Sequence, residues 1–561
     1  MRPVEALRRL RARVRRARPA WGVPAAVAVA VLVAPVVVVA AGLLAPAGDT
    51  WAHLAETVLP DYLLNTAVLV PAVGLLAAAL GAGTAWLVET CSFPGRSLFE
   101  WALILPLAVP AFVAAYTYAG MFDVAGPLQA AARALIPALR DEFLYLDVMG
   151  MGPLVLVFAL VLYPYVYLTA RASFHGHSSA ILDASRVLGS SHTGTFLRVG
   201  LPLARPAVVA GVALVLMEVL NDYGAVVYYG VPTFTSGIFR AWFGLGDLDA
   251  ALRLSGLLVL IVLVLLVLER AQRGDARYGE SGGGDRPVRR RRLEGGRAWA
   301  ATAACAAPVL LGFLIPVLQL GYWSLRTAPE VLDAGFVGLT LNSFGLAAAA
   351  AALCVILGLL IAYAVRLGRS RAGDLLSRVA VLGYSIPGAV IAVGVLLLVQ
   401  WVDGALADVT ALAAGATTRV LLSATAASLL YAYAVRFMAI AFSTVDAGFD
   451  RVAGIHDDAA RTLGAAPLEA LRRVDLPLLR TTLVAAGTLV FVDVVKELPL
   501  TLILRPFDFD TLATTAFQMA MDEQIAESAS AALLLILTGT LPVAFLNRLV
   551  PGGSGDGDRR G

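Results

Sequence analysis

The sequence predicts an all-α integral membrane protein of about twelve transmembrane helices, arranged as two pseudo-symmetric halves of six. Three observations carry this reading. Of its 561 residues 59% are apolar and 15% charged, with a mean hydropathy of +0.80, whereas a soluble domain carries about a quarter charged residues. Runs such as VPAAVAVAVLVAPVVVVAAGLLA and SGLLVLIVLVLLVL reach or approach the roughly 20 helical residues that cross a hydrocarbon core, and they lack the polar face of a helix in a soluble protein. Finally, a polar segment interrupts this background twice, at a fixed separation.

In chain order, residues 1–18 form a basic arm. The apolar run behind it is long and lacks a convincing small-residue cleavage site, so it reads as a retained first helix rather than a signal peptide. The first half covers 19–272. Residues 273–298, with the string ARYGESGGGDRPVRRRRLEGGR, read as a solvated linker. The second half covers 299–550, and 551–561 is a short tail. Arginines collect in the N-terminal arm, the SFPGRS turn, both polar segments, the linker and the tail. All fall on one side if the spans alternate, which makes that side, and both termini, cytoplasmic. Localisation is therefore expected at a bacterial inner membrane. Cys91, Cys305 and Cys354 show no paired spacing, so neither a disulfide framework nor a cysteine metal site is indicated. A net charge of +3 gives no sign of a nucleic-acid partner.

The polar segments are DASRVLGSSHTGTFLRVGLPLAR (183–205) and DAARTLGAAPLEALRRVDLPLLR (458–480). Asp183 and Asp458, Gly189 and Gly464, and Pro202 and Pro477 are each 275 positions apart. Asn65 and Thr66 match Asn342 and Ser343, and Pro110 matches Pro387, at nearly the same offset. Each segment reads as two short helices lying across the cytoplasmic surface. The acidic residue suits the first helix N-terminus, the glycine a left-handed stop, and Pro467 the first turn of the second helix. Leu476-Pro477 is expected to end the unit where the next span begins. One such segment could simply rest on lipid headgroups. Two with the same Gly-to-Pro distance point to insertion in a partner's cleft, since movement must then be passed to the following span.

This pattern resembles the EAA loop of ATP-binding-cassette importer permeases, whose segment forms a coupling helix docked on the ATPase. The resemblance covers almost the whole chain, as two fused permease domains of the type I importer fold. It departs mildly, with Asp183 and Asp458 where the family has Glu and Ser185 for the second Ala. It implies coupling roles for Asp183, Ala184, Gly189, Leu201, Pro202, Asp458, Ala459, Ala460, Gly464, Leu476 and Pro477. It also implies two partners, a dimeric ATPase and a soluble binding protein.

The chain does not supply its own motor by motif: Lys496 is its only lysine and is followed by Glu497, so no Walker A loop is present. No hydrolase or zinc signature appears either, and no cofactor or resident metal is expected. His175-x-His177, in a loop without a carboxylate neighbour, reads as solvated.

Charges do occur inside two spans. Glu218 and Asp222 match Asp493 and Glu497 at the 275-residue offset, and Lys496 is expected to pair with Asp493 or Glu497 on one helix face. Intramembrane charges cost roughly 2.5–3.5 kcal/mol each and face the bundle interior. They read either as an acidic ring lining a cation path or as ion-pair glue between helices. The strings that follow, YGVPTFTSGIFR and ELPLTLILRPFDFDTLA, resemble those of ferric-iron importer permeases. Thiamine, polyamine, sulfate and phosphonate permeases share the architecture. An ion-gradient-driven secondary transporter is the rival class, but it leaves the twin cytoplasmic segments unexplained.

Overall fold

The computed structural model describes all residues except 1, 45–47, 125, 136–147, 177–183, 186, 274–289, 369–370, 415–421, 453–454 and 550–561. Asp183, His177, most of the linker and the C-terminal tail therefore lie outside the described residues. Among the described residues the regular structure is helical apart from one strand pair, which joins Cys91–Ser92 in parallel to Arg291–Arg292. Among the described residues, ten helices are long and apolar enough to cross a bilayer. The number is eleven if Arg96–Ala108 and Ala111–Leu135, bent by 90°, make one span. The apolar part of the last helix, Ile525–Thr540, is shorter than a span. The count among the described residues is thus below the twelve that hydropathy suggests.

The bend has a local cause that the repeat reproduces. A short 3-10 turn, Leu105–Ala108, is followed by Pro110 in an extended conformation before Ala111–Phe122 begins. Its counterpart is Leu382–Ser385, then Pro387, then Gly388–Ala414. A proline disfavours the helical conformation in the residue before it, so each pair of helices is broken at the same place.

The compact units do not follow chain order. One consists of Met1–Pro46, Gly246–Val259 and Val337–Thr511; the other of Ala47–Leu245, Leu260–Phe336 and Leu512–Gly561. In the first unit, the Trp21–Gly42 span lies against Gly388–Ala414. A Cβ on Gly394 would collide with the Pro35 carbonyl, and Tyr431 donates its hydroxyl to the Val31 carbonyl over 2.5 Å.

In the other unit, Met151–Gly176 is gripped between Leu59–Thr90 and Leu201–Asn221. A Cβ on Gly81 would fall 2.6 Å from the Val166 Cβ, and one on Gly211 2.7 Å from the Val166 Cα. Such close approach through small residues is how apolar helices associate in lipid, where no hydrophobic driving force separates helix from solvent. Gly312 meets the Leu160 carbonyl in the same way, and Ser324 hydrogen-bonds Ser530 at 2.8 Å.

Candidate functional site

The two polar segments share one backbone design. Ala184 and Ser185 in the first, and Ile455–Thr462 in the second, are helical. Each helix stops at a glycine in the left-handed region, Gly189 at φ +82° and Gly464 at φ +92°. Ser190 N–H reaches the Ser185 carbonyl over 3.1 Å, and Ala465 N–H the Ala460 carbonyl over 3.0 Å; this six-to-one closure satisfies a terminal carbonyl of the helix. The residues before the glycines, Leu188 and Leu463, are 87% and 89% exposed. Sequence reasoning passes over them, although they stand 275 positions apart. Ala184 and Ala459 are also exposed.

A second helix then starts, capped by the Ser191 hydroxyl, which accepts from Gly194 N–H over 3.1 Å, in one copy; in the other Pro467 occupies its first turn. Contrary to expectation, these helices do not end at Leu-Pro. Each runs through a π turn, Phe196–Gly200 or Leu471–Asp475, directly into the next span, giving 30-residue helices His192–Asn221 and Pro467–Lys496. The π turn is what admits the proline. Leu201 N–H bonds the Phe196 carbonyl and Leu476 N–H the Leu471 carbonyl, five residues back. That extra residue accommodates Pro202 and Pro477, which lack an N–H and whose rings would crowd the carbonyl four residues before.

Comparison with known proteins agrees with this geometry. Residues 354–552 match the profile of a family described as the binding-protein-dependent transport system inner membrane component. An Fe(3+)-transport system permease protein of Haemophilus influenzae, FbpB 2, is 26% identical over 87% of this chain and 90% of its own length. A probable ABC transporter permease of Sinorhizobium fredii is 25% identical over 79% of both. A probable sulfate transport system permease of Nephroselmis olivacea is 32% identical over 27% of this chain and 51% of itself. The chain is an inner-membrane ABC permease.

Both segments of the permease are anchored to a further span. Trp86 donates its indole N–H to His192 Nε2 over 3.1 Å, and Tyr363 its hydroxyl to the Pro467 carbonyl over 2.6 Å. Nearby, the two halves place opposite charges at corresponding positions in reversed order. Arg171 meets Glu89 at 2.8 Å and also pairs with Glu100. Arg366, 277 positions after Glu89, donates to the carbonyls of Phe449 at 2.7 Å and Val452 at 3.3 Å and acts electrostatically on Asp446, 275 positions after Arg171. His175 is not isolated from carboxylates as its sequence position suggests, since Glu89 lies 3.5 Å away. No group of three or more metal-ligating side chains occurs among the described residues.

The charged span ends of the permease also repeat. Asp222 and Glu497 are not on the helices that precede them; each is the first residue past the end, in an extended conformation. Asp222 Oδ1 accepts from Ala225 N–H at 2.8 Å, and Glu497 Oε1 from Leu500 N–H at 3.1 Å, positions again 275 apart. Each carboxylate caps the short helix that follows. Threonine hydroxyls take up the carbonyls at the break, Thr235 on Asp222 and Thr501 on Glu497.

Glu218 and Asp493 lie one turn earlier, half-buried. The single-face grouping expected of Asp493, Lys496 and Glu497 is therefore broken, because Glu497 turns away at the helix end. Its ion-pair partner is Arg436 of Ala426–Arg451, 3.4 Å away and nearly buried. Sequence reading misses Arg436, though an arginine in the apolar string LLYAYAVRFMAI is itself a functional flag.

Proposed function

We infer that this permease is the translocation subunit of an importer whose two cytoplasmic segments seat in a separate, dimeric ATPase, and that its cargo is ferric iron delivered by a soluble binding protein. One observation carries the coupling part. Twice, at equivalent positions, the chain presents a glycine-closed helix with a leucine left almost wholly exposed in the turn just before the glycine, next to a helix that is continuous with a span. An apolar knob in water is stabilised by a covering partner, and a helix continuous with a span passes movement into the membrane. ATP-driven closure of the partner would draw the two segments together and open the path outward. Both termini would then lie in the cytoplasm, and each sequence repeat would form one permease domain.

Iron is favoured because the likeness to the Fe(3+)-transport permease runs through both halves, whereas the likeness to the sulfate permease is confined to about a quarter of the chain. Glu218, Asp222, Asp493 and Glu497 would give the path its preference for a cation, as rings of acidic side chains do in cation channels, with Lys496 and Arg436 moderating it.

A second reading has its own observation. A cavity of about 600 Å³ past the end of Leu201–Asn221 is lined by Tyr62, Tyr223, Ser236, Phe239 and Arg240, with no carboxylate in its wall; that lining suits an anionic solute. Uptake of radiolabelled iron by cells lacking this chain separates the two. Lost iron uptake supports the first reading, and intact iron uptake with lost oxyanion uptake supports the second.

A further inference from the structure

Two aromatic side chains outside the coupling residues occupy equivalent places in the repeat. Trp86, near the end of Leu59–Thr90, and Tyr363, near the end of Ala334–Gly368, are 277 positions apart, the offset that also relates Pro110 to Pro387. Each donates to the residue that opens the second helix of the cytoplasmic segment, His192 or Pro467, themselves 275 apart. The backing repeats as well. Trp86 packs edge-on against Phe174 at 5.3 Å, and Tyr363 stacks on Phe449 at 6.3 Å; Phe174 and Phe449 are 275 apart. The atoms differ, however: an indole donates to an imidazole in one copy, a phenol to a backbone carbonyl in the other. The contact is thus reproduced with different chemistry, so residue identity inherited from the duplication does not account for it.

We propose that Trp86 and Tyr363 are positioning residues that tie each cytoplasmic segment to a second full-length span, so that displacement of the segment moves two helices of the core instead of one. Without the tie, the second helix of each segment passes movement into its own span through the π turn, Phe196–Gly200 or Leu471–Asp475, where the helix hydrogen-bond register is already shifted and bending is easy. With it, the load also reaches Leu59–Thr90, whose 32 residues extend for about 48 Å at 1.5 Å per residue, more than the bilayer core. Contact at the first π turn is close: a Cβ on Gly200 would fall 2.5 Å from the Trp86 ring, so the indole lies directly on the turn. Trp21 backs Tyr363 in the second copy, with ring centroids 5.2 Å apart.

The proposal rests on the reading that these segments engage an ATPase. Its test uses the assembled transporter in proteoliposomes with its ATPase and binding protein, comparing Trp86→Phe, Tyr363→Phe, the double variant and Gly464→Val as a control. The phenylalanines keep an aromatic ring and remove the donor. Transport per ATP hydrolysed should fall about fivefold in each single variant, the factor that one net hydrogen bond represents, and further in the double, while basal hydrolysis and ATPase association stay at wild-type levels. An unchanged transport-to-hydrolysis ratio in the double variant, or loss of ATPase association, overturns the proposal. If Gly464→Val uncouples while the aromatic variants do not, the tie alone is wrong. If Gly464→Val is also silent, the coupling reading fails and the tie falls with it.

Discussion

Glu497 and Arg436 form a nearly buried ion pair, 3.4 Å apart, that joins the break after Leu476–Lys496 to the middle of Ala426–Arg451. The same carboxylate caps the helix Pro499–Leu504 through Leu500 N–H. Two charges taken from water are tolerable here because each satisfies the other. Removing one partner leaves an uncompensated buried charge, which costs about 3–5 kcal/mol. Arg436→Ala should therefore lower the melting temperature of the detergent-solubilised permease more than the double variant Arg436→Met/Glu497→Gln. Equal losses would show that the pair contributes nothing as a pair.

Asp222 allows capping and charge to be told apart. Asp222→Asn keeps an acceptor for Ala225 N–H without the charge, whereas Asp222→Ala loses both. The alanine variant should cost about 1 kcal/mol of stability and the asparagine variant much less. If the carboxylate serves the cation path, transport should nevertheless fall in both variants. Full transport by Asp222→Asn would leave Asp222 with a structural role only.

The glycines that close the first helices of the polar segments make a backbone prediction. A Cβ at Gly189 or Gly464 meets nothing within 4 Å, so a substitution is penalised through the positive φ alone, by about 1–2 kcal/mol for an ordinary residue. Gly189→Val and Gly464→Val should insert normally but lose stimulation of the ATPase by loaded binding protein. Asparagine, which enters the left-handed region more readily, should recover part of it. Equal stimulation across glycine, asparagine and valine would refute the coupling role of the turn.

The ion pair of Arg171 with Glu89 and its charge-reversed counterparts Arg366 and Asp446 offer a fourth test. Glu89→Arg places a cation against Arg171 and should destabilise the permease. Adding Arg171→Glu should restore part of the loss, because the other half already carries the opposite arrangement in Arg366 and Asp446. Recovery should stay incomplete, since Arg171 also serves Glu100. Thermal melting of the two single variants and the double gives the pairwise energy directly; a double variant less stable than either single would show that the two positions do not interact.

Much of this is legible in the residues. The repeat establishes which features correspond, and the glycine of each polar segment correctly marks where its first helix stops. The continuation of the second helix into the following span escapes the sequence reading because proline ordinarily signals a helix end, and spacing does not reveal that a π turn can carry a helix past it. The carboxylates stand out, yet their spacing suggests one helix face, although Gly224 and Pro499, each two residues on, are local signals of the break at Asp222 and Glu497. Arg436, Trp86 and Tyr363 lie far along the chain from what they touch. Their meaning emerges only when helices of different sequence position are packed together. The grouping of helices into units has the same origin, because an all-round apolar span carries no address for its neighbour.

That grouping dictates an order of events during synthesis. Val31 accepts a hydrogen bond from Tyr431, 400 residues downstream, so the Trp21–Gly42 span leaves the ribosome long before its partner exists. At roughly 5–20 residues per second, the delay runs from about 20 to 80 seconds. Throughout that interval the newborn helix needs a temporary companion, whether lipid, insertase or chaperone. Its final berth is delivered only once most of the chain has been made.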